Sequence, residues 1–198
     1  MIIELLGLSG SGKTTFSRTQ EVNDNFLVLG YQKFNFAKKI NIFFKYPVIF
    51  FWFYEIISET FKTKLFTLIK FKFALILNTF CIFNKAKKAA KDSKKDIIID
   101  EGFSQRLLSV YDTKKSVEEF KKIFKKNIFL SDVVWVIESD FKKFKRFENL
   151  RNNRSLLGEK YLKKWFSITT YNYNNLLGSL EELNISYKII KINDKIKK

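Results

Sequence analysis

The stretch "ELLGLSGSGKTTF" (residues 4–16) holds three of the seven glycines of this 198-residue chain, directly after an apolar run. It contains the pattern G-x-x-x-x-G-K-T, in which glycines let successive backbone amides turn toward a bound phosphate. The apolar run predicts a short buried strand, and the residues after the lysine predict a helix whose N-terminus carries partial positive charge. The stretch therefore predicts a strand, a phosphate-binding loop and a helix, the context that this motif requires.

The positions of the loop have distinct expected roles. Lys13 would reach the β- and γ-phosphates of a nucleoside triphosphate, and the Thr14 hydroxyl would bind Mg²⁺. We therefore predict that the chain binds ATP with Mg²⁺. The residues expected to contact ATP are Gly7, Ser9, Gly10, Ser11, Gly12, Lys13, Thr14 and Thr15.

The composition is strongly basic and aromatic. Lysine and arginine outnumber aspartate and glutamate by 37 to 20, which gives a net charge of +17, and aromatic residues make up 17% of the chain. Such an excess is typical of proteins that bind nucleic acid or an anionic membrane. However, only five of the cations are arginines, which indicates an AT-rich coding bias, and no nucleic-acid module accompanies the charge. Nucleic acid is therefore not an expected partner.

The cysteine and histidine content limits the disulfides and metal sites that the chain can form. The chain has one cysteine, Cys81, and no histidine, which excludes an internal disulfide and a histidine-ligated metal. The N-terminal apolar run lacks a basic segment before it and leads straight into the loop, so it predicts a strand rather than a signal peptide. We expect a cytoplasmic location.

Strands and helices alternate along the rest of the chain. Helical periodicity occupies the intervals 113–127 and 161–180, which separate the last three strands. The pattern predicts one three-layer α/β domain over residues 1–198, with right-handed crossovers. The segments that predict further strands are FLVLG (26–30), DIIID (96–100), VVWVI (133–137) and SYKIIKI (186–192), the last at a sheet edge.

The segment 37–95 is long and unusually apolar. Eight of the twelve residues in 43–54 are aromatic, and the run 65–83 is long enough to cross a membrane but carries Lys70 and Lys72 near its middle. We therefore predict two or three helices packed over the sheet. Peripheral contact with an anionic membrane remains an alternative, and the apolar surplus would also suit a homodimer interface.

A second group of functional residues lies in "DIIIDEGFSQR" (96–106). An acid at the end of a strand beside a phosphate loop holds Mg²⁺, so Asp100 is the candidate. Glu101 is either the base that takes a proton from the attacking group or a helix cap. Arg106 is a candidate for binding a substrate anion.

Three of the five arginines follow the fourth predicted strand: Arg146, Arg151 and Arg154. On a helix they would fall on one side of a short segment. We interpret residues 141–158 as a lid whose arginines stabilise charge on the transferring phosphoryl group, although a solvated cationic helix is the simpler alternative.

With these motifs in this order, the chain resembles the P-loop kinases of the nucleoside and nucleotide kinase group, which includes the thymidylate kinases. The similar parts are "GLSGSGKTT", "IIIDEGFSQR" and the lid arginines. The resemblance implies a five-stranded parallel sheet, catalytic roles for the lysine, acids and arginines named above, and a small acceptor bound under the helices of 37–95. The chain departs from the group in having Glu101 followed by Gly102, and no arginine between Arg18 and Arg106.

The prediction is therefore a kinase that moves the γ-phosphate of Mg-ATP to a hydroxyl of a small molecule, such as a nucleoside or sugar. The first alternative is a nucleoside monophosphate kinase of the thymidylate type. A regulatory ATPase, or a membrane or nucleic-acid binder switched by ATP, is the alternative from another class.

Overall fold

The computed structural model describes residues 1–8, 11–30, 32, 34–126, 131–138 and 158–192 of the chain. In these ranges, five strands form one sheet in the order β2-β3-β1-β4-β5, and every neighbouring pair is parallel. The strands are β1 (Ile2–Leu6), β2 (Phe26–Leu29), β3 (Asp96–Ile99), β4 (Val133–Glu138) and β5 (Tyr187–Lys191). All five strand predictions are confirmed to within two residues, and β5 lies at an edge as expected.

Helices connect the strands. The helices are α1 (Lys13–Glu21), α2 (Phe36–Lys45), α3 (Val48–Thr63), α4 (Ile69–Asp92), α5 (Phe103–Val110), α6 (Val117–Lys126) and α7 (Glu159–Glu182), with a 3₁₀ turn at Phe66–Leu68. Since parallel strands need such crossovers, the alternation of strand and helix produces an α/β domain. The helical predictions for 113–127 and 161–180 are confirmed by α6 and α7.

Both faces of the sheet are covered, which confirms the three-layer prediction. On one face, Ile3, Leu5 and Ile98 pack with Phe16 of α1. On the other face, alternate strand residues such as Leu6 join a larger core that draws on α2 to α7. This division follows from the alternation of side chains along a strand.

The segment 37–95 forms α2, α3, the 3₁₀ turn and α4, as predicted. Among the described helices, only Phe66–Asp92 is long and apolar enough by itself to cross a membrane; α2 and α3 would also qualify if they counted as one span bent by 105°. More than half of the apolar window in α4, 56%, is buried inside the protein. Its side chains pack into the core that covers β1 and β3, which is the position of a core helix.

A buried ion pair anchors α4. The Lys72 ammonium lies 2.6 Å from Oδ2 of Asp112, and both side chains are almost completely buried. The other carboxylate oxygen of Asp112 accepts a hydrogen bond from the Tyr161 hydroxyl of α7 (2.8 Å). Lys72 is therefore held by an internal carboxylate, which explains how α4 carries a lysine on its buried face.

Glu59 of α3 forms a neighbouring polar junction. Its carboxylate accepts hydrogen bonds from the Asp112 amide (2.9 Å) and the Thr113 hydroxyl (3.0 Å), and it pairs with Lys115. The Tyr111 hydroxyl donates to Glu55 (3.1 Å). Burial, together with the nearby carboxylates, raises the pKa of Tyr111 well above its ordinary value, so this phenol stays protonated and can donate. These contacts connect α3 to the segment between α5 and α6.

Replacing Lys72 by methionine should destabilise the fold because it leaves the Asp112 carboxylate buried without its cation. We expect the free energy of unfolding to fall by about 3–5 kcal/mol in urea titrations. The double variant Lys72→Met/Asp112→Asn should recover most of this loss, since the amide is neutral and still accepts from Tyr161. A double variant no more stable than Lys72→Met alone would contradict this role for the pair.

Candidate functional site

The loop after β1 has the geometry of a phosphate cradle in its described part. Gly12 adopts a left-handed conformation (φ 87°) that favours glycine, and it directly precedes α1. The first hydrogen bond of α1 runs from the Phe16 amide to the Gly12 carbonyl (2.8 Å). The amides of the first turn, which come before Phe16, therefore have no acceptor within the helix itself. This helix end is therefore suited to bind an anion.

Lys13 bends back over the loop. Its ammonium donates to the carbonyl oxygens of Gly7 (2.7 Å) and Leu8 (3.2 Å), which places the positive charge on the loop itself. Gly7 leaves no room for a side chain, because a Cβ there would lie 2.6 Å from the Ser11 hydroxyl and 2.8 Å from the Ile137 carbonyl oxygen. Gly7 thus allows the loop to pack closely, and Lys13 gives the same loop a positive charge.

The acidic turn lies beside this loop because β3 is the parallel neighbour of β1. Ile99 pairs with Glu4, so Asp100 is level with Leu5, two residues before the loop begins at Gly7. The Asp100 side chain is buried, and its amide donates to the Leu29 carbonyl at the end of β2 (3.2 Å). The sheet therefore brings Asp100 to the edge from which the phosphate loop starts.

A carboxylate on β1 fixes the helix that follows the acidic turn. Glu4 is buried, and its oxygens accept hydrogen bonds from the amides of Phe103 (2.8 Å) and Ser104 (3.1 Å) and from the Ser104 hydroxyl. Burial raises the pKa of Glu4 above its ordinary value, and the three hydrogen bonds partly oppose this shift. A Cβ at Gly102 would overlap the Glu4 side chain, so the approach requires glycine.

The cap of α5 is therefore Glu4, and Glu101 has a different partner. Its carboxylate forms an ion pair with the Arg106 guanidinium one turn into α5 (2.5 Å). The Arg106 side chain is only 5% exposed, whereas the Glu101 side chain is 32% exposed. Glu101 is thus a carboxylate held in place by a buried arginine and accessible to a small molecule. The prediction that Arg106 binds a substrate anion remains a prediction.

The donors at this edge fit a magnesium ion. Mg²⁺ is usually held by one or two carboxylates together with substrate phosphates and water. Asp100 and the Thr14 hydroxyl are hard oxygen donors of this kind, at the end of β3 and in the first turn of α1. No group of three or more acidic, cysteine or histidine side chains suited to a metal occurs in the part of the chain that the structure describes. A magnesium ion here would therefore depend on nucleotide phosphates for further ligands.

A separate cavity of about 570 Å³ lies between the end of α3, the segment after α5 and the start of α7. Three lysines line it, Lys62, Lys114 and Lys164, together with the aromatic side chains of Tyr161 and Trp165. Its lining includes no described residue of the phosphate loop and neither member of the Glu101–Arg106 pair. The cavity is lined in part by residues that follow the C-terminal end of α5, whereas Glu101 precedes its N-terminal end. The eight residues of α5 span about 12 Å.

Several predicted site residues lie outside the described ranges. They are Ser9 and Gly10 of the loop and the lid arginines Arg146, Arg151 and Arg154. The structure does place Gly158, at the end of the predicted lid, directly before α7 with a positive φ of 82°.

Two positions that build this site were not singled out from the sequence. Glu4 is the only charged residue in the first strand, and a single acid within a buried apolar run is the signal that could have identified it. Gln105 accepts a hydrogen bond from the Gly7 amide through its side-chain oxygen (3.1 Å) and so joins α5 to the loop. Nothing in its sequence context indicated this contact.

Comparisons with known proteins identify no family. No family model matches the chain, and no curated protein sequence matches it significantly. The solved structures that match include deoxyadenosine kinase from M. mycoides with bound dATP (12% identity, 98% of this chain and 94% of that chain, TM-score 0.49) and with bound dCTP (14%, 98% and 93%, 0.45). Thymidylate kinase from Ehrlichia chaffeensis also matches (14%, 98% and 89%, 0.43). At these identities and TM-scores the function has to be inferred from this chain's own residues.

Substituting Gly102 by alanine should disturb the junction between β1 and α5. The added methyl group would overlap the Glu4 carboxylate, and we expect a loss of about 1–3 kcal/mol in the free energy of unfolding. Gly30→Ala is the matched control, because a Cβ there meets nothing within 4 Å. Equal stabilities of the two variants in urea titrations would show that the close approach at Gly102 is not a constraint.

Proposed function

We propose that this chain is an ATP-dependent phosphotransferase that moves the γ-phosphate of Mg-ATP to a hydroxyl group of a small molecule, either a nucleoside or a sugar. The observation that carries the proposal is the placement of the Asp100–Glu101 turn beside the phosphate loop by the pairing of β1 with β3. Sites of phosphoryl transfer combine a phosphate cradle, a metal-binding acid and a residue that orients or deprotonates the attacking group.

Each residue has a role in the proposed reaction. Lys13 binds the β- and γ-phosphates, while Thr14 and Asp100 hold Mg²⁺, which when bound neutralises charge on the phosphate oxygens. Glu101 accepts the proton of the attacking hydroxyl, and Arg106 positions that carboxylate through their ion pair. In this proposal the lid spans 141–158, and its three arginines stabilise the phosphoryl group in transit.

The charges of the interior support an acceptor without a phosphate group. Among the described residues, three cationic side chains are buried, and each of them pairs with a carboxylate. The pairs are Lys72 with Asp112, Arg106 with Glu101, and Lys115 with Glu59. These cations are already neutralised within the protein, which favours an uncharged acceptor over an anionic one.

The second candidate is a nucleoside monophosphate kinase. In such an enzyme the accepting group is the phosphate of the monophosphate, so that phosphate would lie beside the phosphate loop. The lysine-lined cavity is elsewhere, because neither Glu101 nor a described residue of the phosphate loop lines it, and its lysines would therefore not hold the reacting phosphate. Release of ADP that depends on the nucleoside monophosphate pool alone would favour this candidate.

A regulatory ATPase uses the same loop and acids, with Glu101 orienting water instead of an alcohol. A membrane or nucleic-acid binder switched by ATP is a related alternative. The proposed lid in cis and the large helical segment 37–95 favour transfer over hydrolysis. The cytoplasmic location and the homodimer remain predictions alongside this proposal.

The decisive assay follows ADP release from Mg-ATP, first alone and then with pooled nucleosides, nucleoside monophosphates or sugars. Release that depends on one pool is the result expected of a kinase, and it identifies the class of acceptor. Equal release without any acceptor would contradict the proposal and indicate an ATPase.

Glu101→Gln should reduce acceptor-dependent turnover by roughly 10²–10⁴-fold, because the amide cannot take the proton. ATP affinity should be unchanged, since Glu101 is not placed on the triphosphate. Glu118→Gln, at an exposed position of α6, controls for the loss of one negative charge. Turnover close to wild type in Glu101→Gln would remove this residue from the mechanism.

A further inference from the structure

The outer faces of α2 and α3 expose large apolar side chains in two rows. On α2 the row is Phe36, Ile40 and Phe44, at intervals of four residues, with Phe36 77% and Phe44 74% exposed. Residues at these intervals lie on one side of a helix. Solvent-exposed phenylalanines at this spacing are not expected on a surface that contacts only water.

The row on α3 has four residues, one more than the row on α2, and they span a smaller angle around their helix. Phe50, Tyr54, Ile57 and Phe61 are all exposed, and their intervals of four, three and four residues place them within about 60° of one another around the helix. Tyr54, in the middle of the row, is 69% exposed. The opposite face of α3 carries the buried Trp52 and packs into the core.

The two rows form one surface. The Phe43 ring contacts Phe44 on α2 (centroids 5.4 Å apart) and Phe50 on α3 (4.8 Å), which joins the rows at the bend between the helices. At the other end of α3, Phe61 contacts the exposed Phe66 of the 3₁₀ turn (5.4 Å). We call this continuous surface, from Phe36 to Phe66, the outer stripe.

The charges around the outer stripe have one sign. Between residues 34 and 70 the only acids are Glu55 and Glu59; the first bonds the Tyr111 hydroxyl and the second is buried. Five lysines of the same segment are exposed: Lys38, Lys45, Lys62, Lys64 and Lys70. The segment that carries the outer stripe therefore exposes lysines but no carboxylate, and Lys38 and Lys45 lie roughly 140–160° around α2 from its apolar row, on the polar side of that helix.

We propose that the outer stripe is a docking surface for an anionic lipid bilayer. Aromatic and aliphatic side chains enter the boundary between headgroups and acyl chains, while the lysines pair with anionic headgroups. Only one face of α3 is available, because Trp52 and Ile56 on its other face are buried in the protein. The contact is therefore interfacial and leaves the sheet and the phosphate loop in water.

Charge distinguishes a bilayer from a second copy of the chain. A symmetric dimer would bring two copies of the same lysine-bearing segment together, and that segment has no exposed acid to neutralise them. Like charges brought together in this way oppose association, whereas anionic headgroups neutralise them. The bilayer is thus the occupant that satisfies both the apolar side chains and the lysines.

The test is sedimentation of the full chain with vesicles of phosphatidylcholine alone or of phosphatidylcholine with 30% phosphatidylserine. We expect binding to the anionic vesicles that weakens as salt is raised. The triple variant Phe36→Ser/Tyr54→Ser/Phe61→Ser should bind at least about tenfold more weakly, because burial of the aromatic rings is lost. Val22→Ser/Ile189→Ser, which removes exposed apolar side chains elsewhere, should bind like wild type.

A charge series separates the contribution of the lysines. Lys38→Gln/Lys64→Gln/Lys70→Gln should weaken binding by roughly a hundredfold, since each lysine near an anionic surface contributes about a fivefold effect. Lys122→Gln/Lys125→Gln/Lys188→Gln removes the same charge from exposed positions outside the stripe and should have a much smaller effect. Equal effects of the two sets would overturn the assignment of this surface.

A fluorescent label tests contact directly and does not depend on affinity. An environment-sensitive probe on Tyr54→Cys should shift to the blue with anionic vesicles, whereas the same probe on Val22→Cys should not. The natural Cys81 is buried. Absence of vesicle binding at low salt would overturn the proposal. So would a wild-type dimer that the serine triple variant converts to monomers, because the outer stripe would then be a dimer interface. Binding to nucleic acid that the stripe variants weaken as much as they weaken binding to vesicles would also overturn it. Acceptor-dependent ADP release is measured separately, so the two proposals can fail independently.

Discussion

The Glu4 carboxylate joins the two halves of the candidate site. It projects from the central strand, just before the phosphate loop, and accepts hydrogen bonds from the first amides of α5, just after the Asp100–Glu101 turn. Gly102 permits this approach because it has no side chain to overlap Glu4. The distance between the loop that would hold the triphosphate and the acids that would act on it is therefore set by a buried contact rather than by loop conformation.

The same helix carries the other connections of the site. Gln105 of α5 binds the Gly7 amide of the loop, and Arg106 of α5 holds Glu101. Because α5 is capped by Glu4 and packed in the core, it can position these groups with little freedom. The residues that would move a proton are thus supported by a helix, while Glu101 itself remains accessible. This combination of a fixed support and an accessible carboxylate suits a base that must meet a small acceptor.

Much of this arrangement could be predicted from the sequence, for identifiable reasons. Continuous apolar runs predicted the buried strands, and the glycine pattern with Lys13 predicted the loop and the start of α1. The cap by Glu4 and the pair of Lys72 with Asp112 could not be predicted, because each joins residues tens of positions apart, and spacing along the chain does not encode such contacts. The lid arginines lie outside the described residues, and their role stays a prediction.

In the proposed function the loop after β1 binds the triphosphate of a nucleotide through Lys13, and calorimetric titration with Mg-ATP measures this binding. Wild-type protein should bind Mg-ATP more tightly than AMP. Lys13→Ala should weaken the binding of Mg-ATP by roughly ten- to a hundredfold, the usual effect of losing a hydrogen bond to a charged group. Lys122→Ala, which removes an exposed lysine of α6, should have no effect. Equal affinity of wild type and Lys13→Ala, or equal affinity for ATP and AMP, would show that the loop does not bind the triphosphate through Lys13.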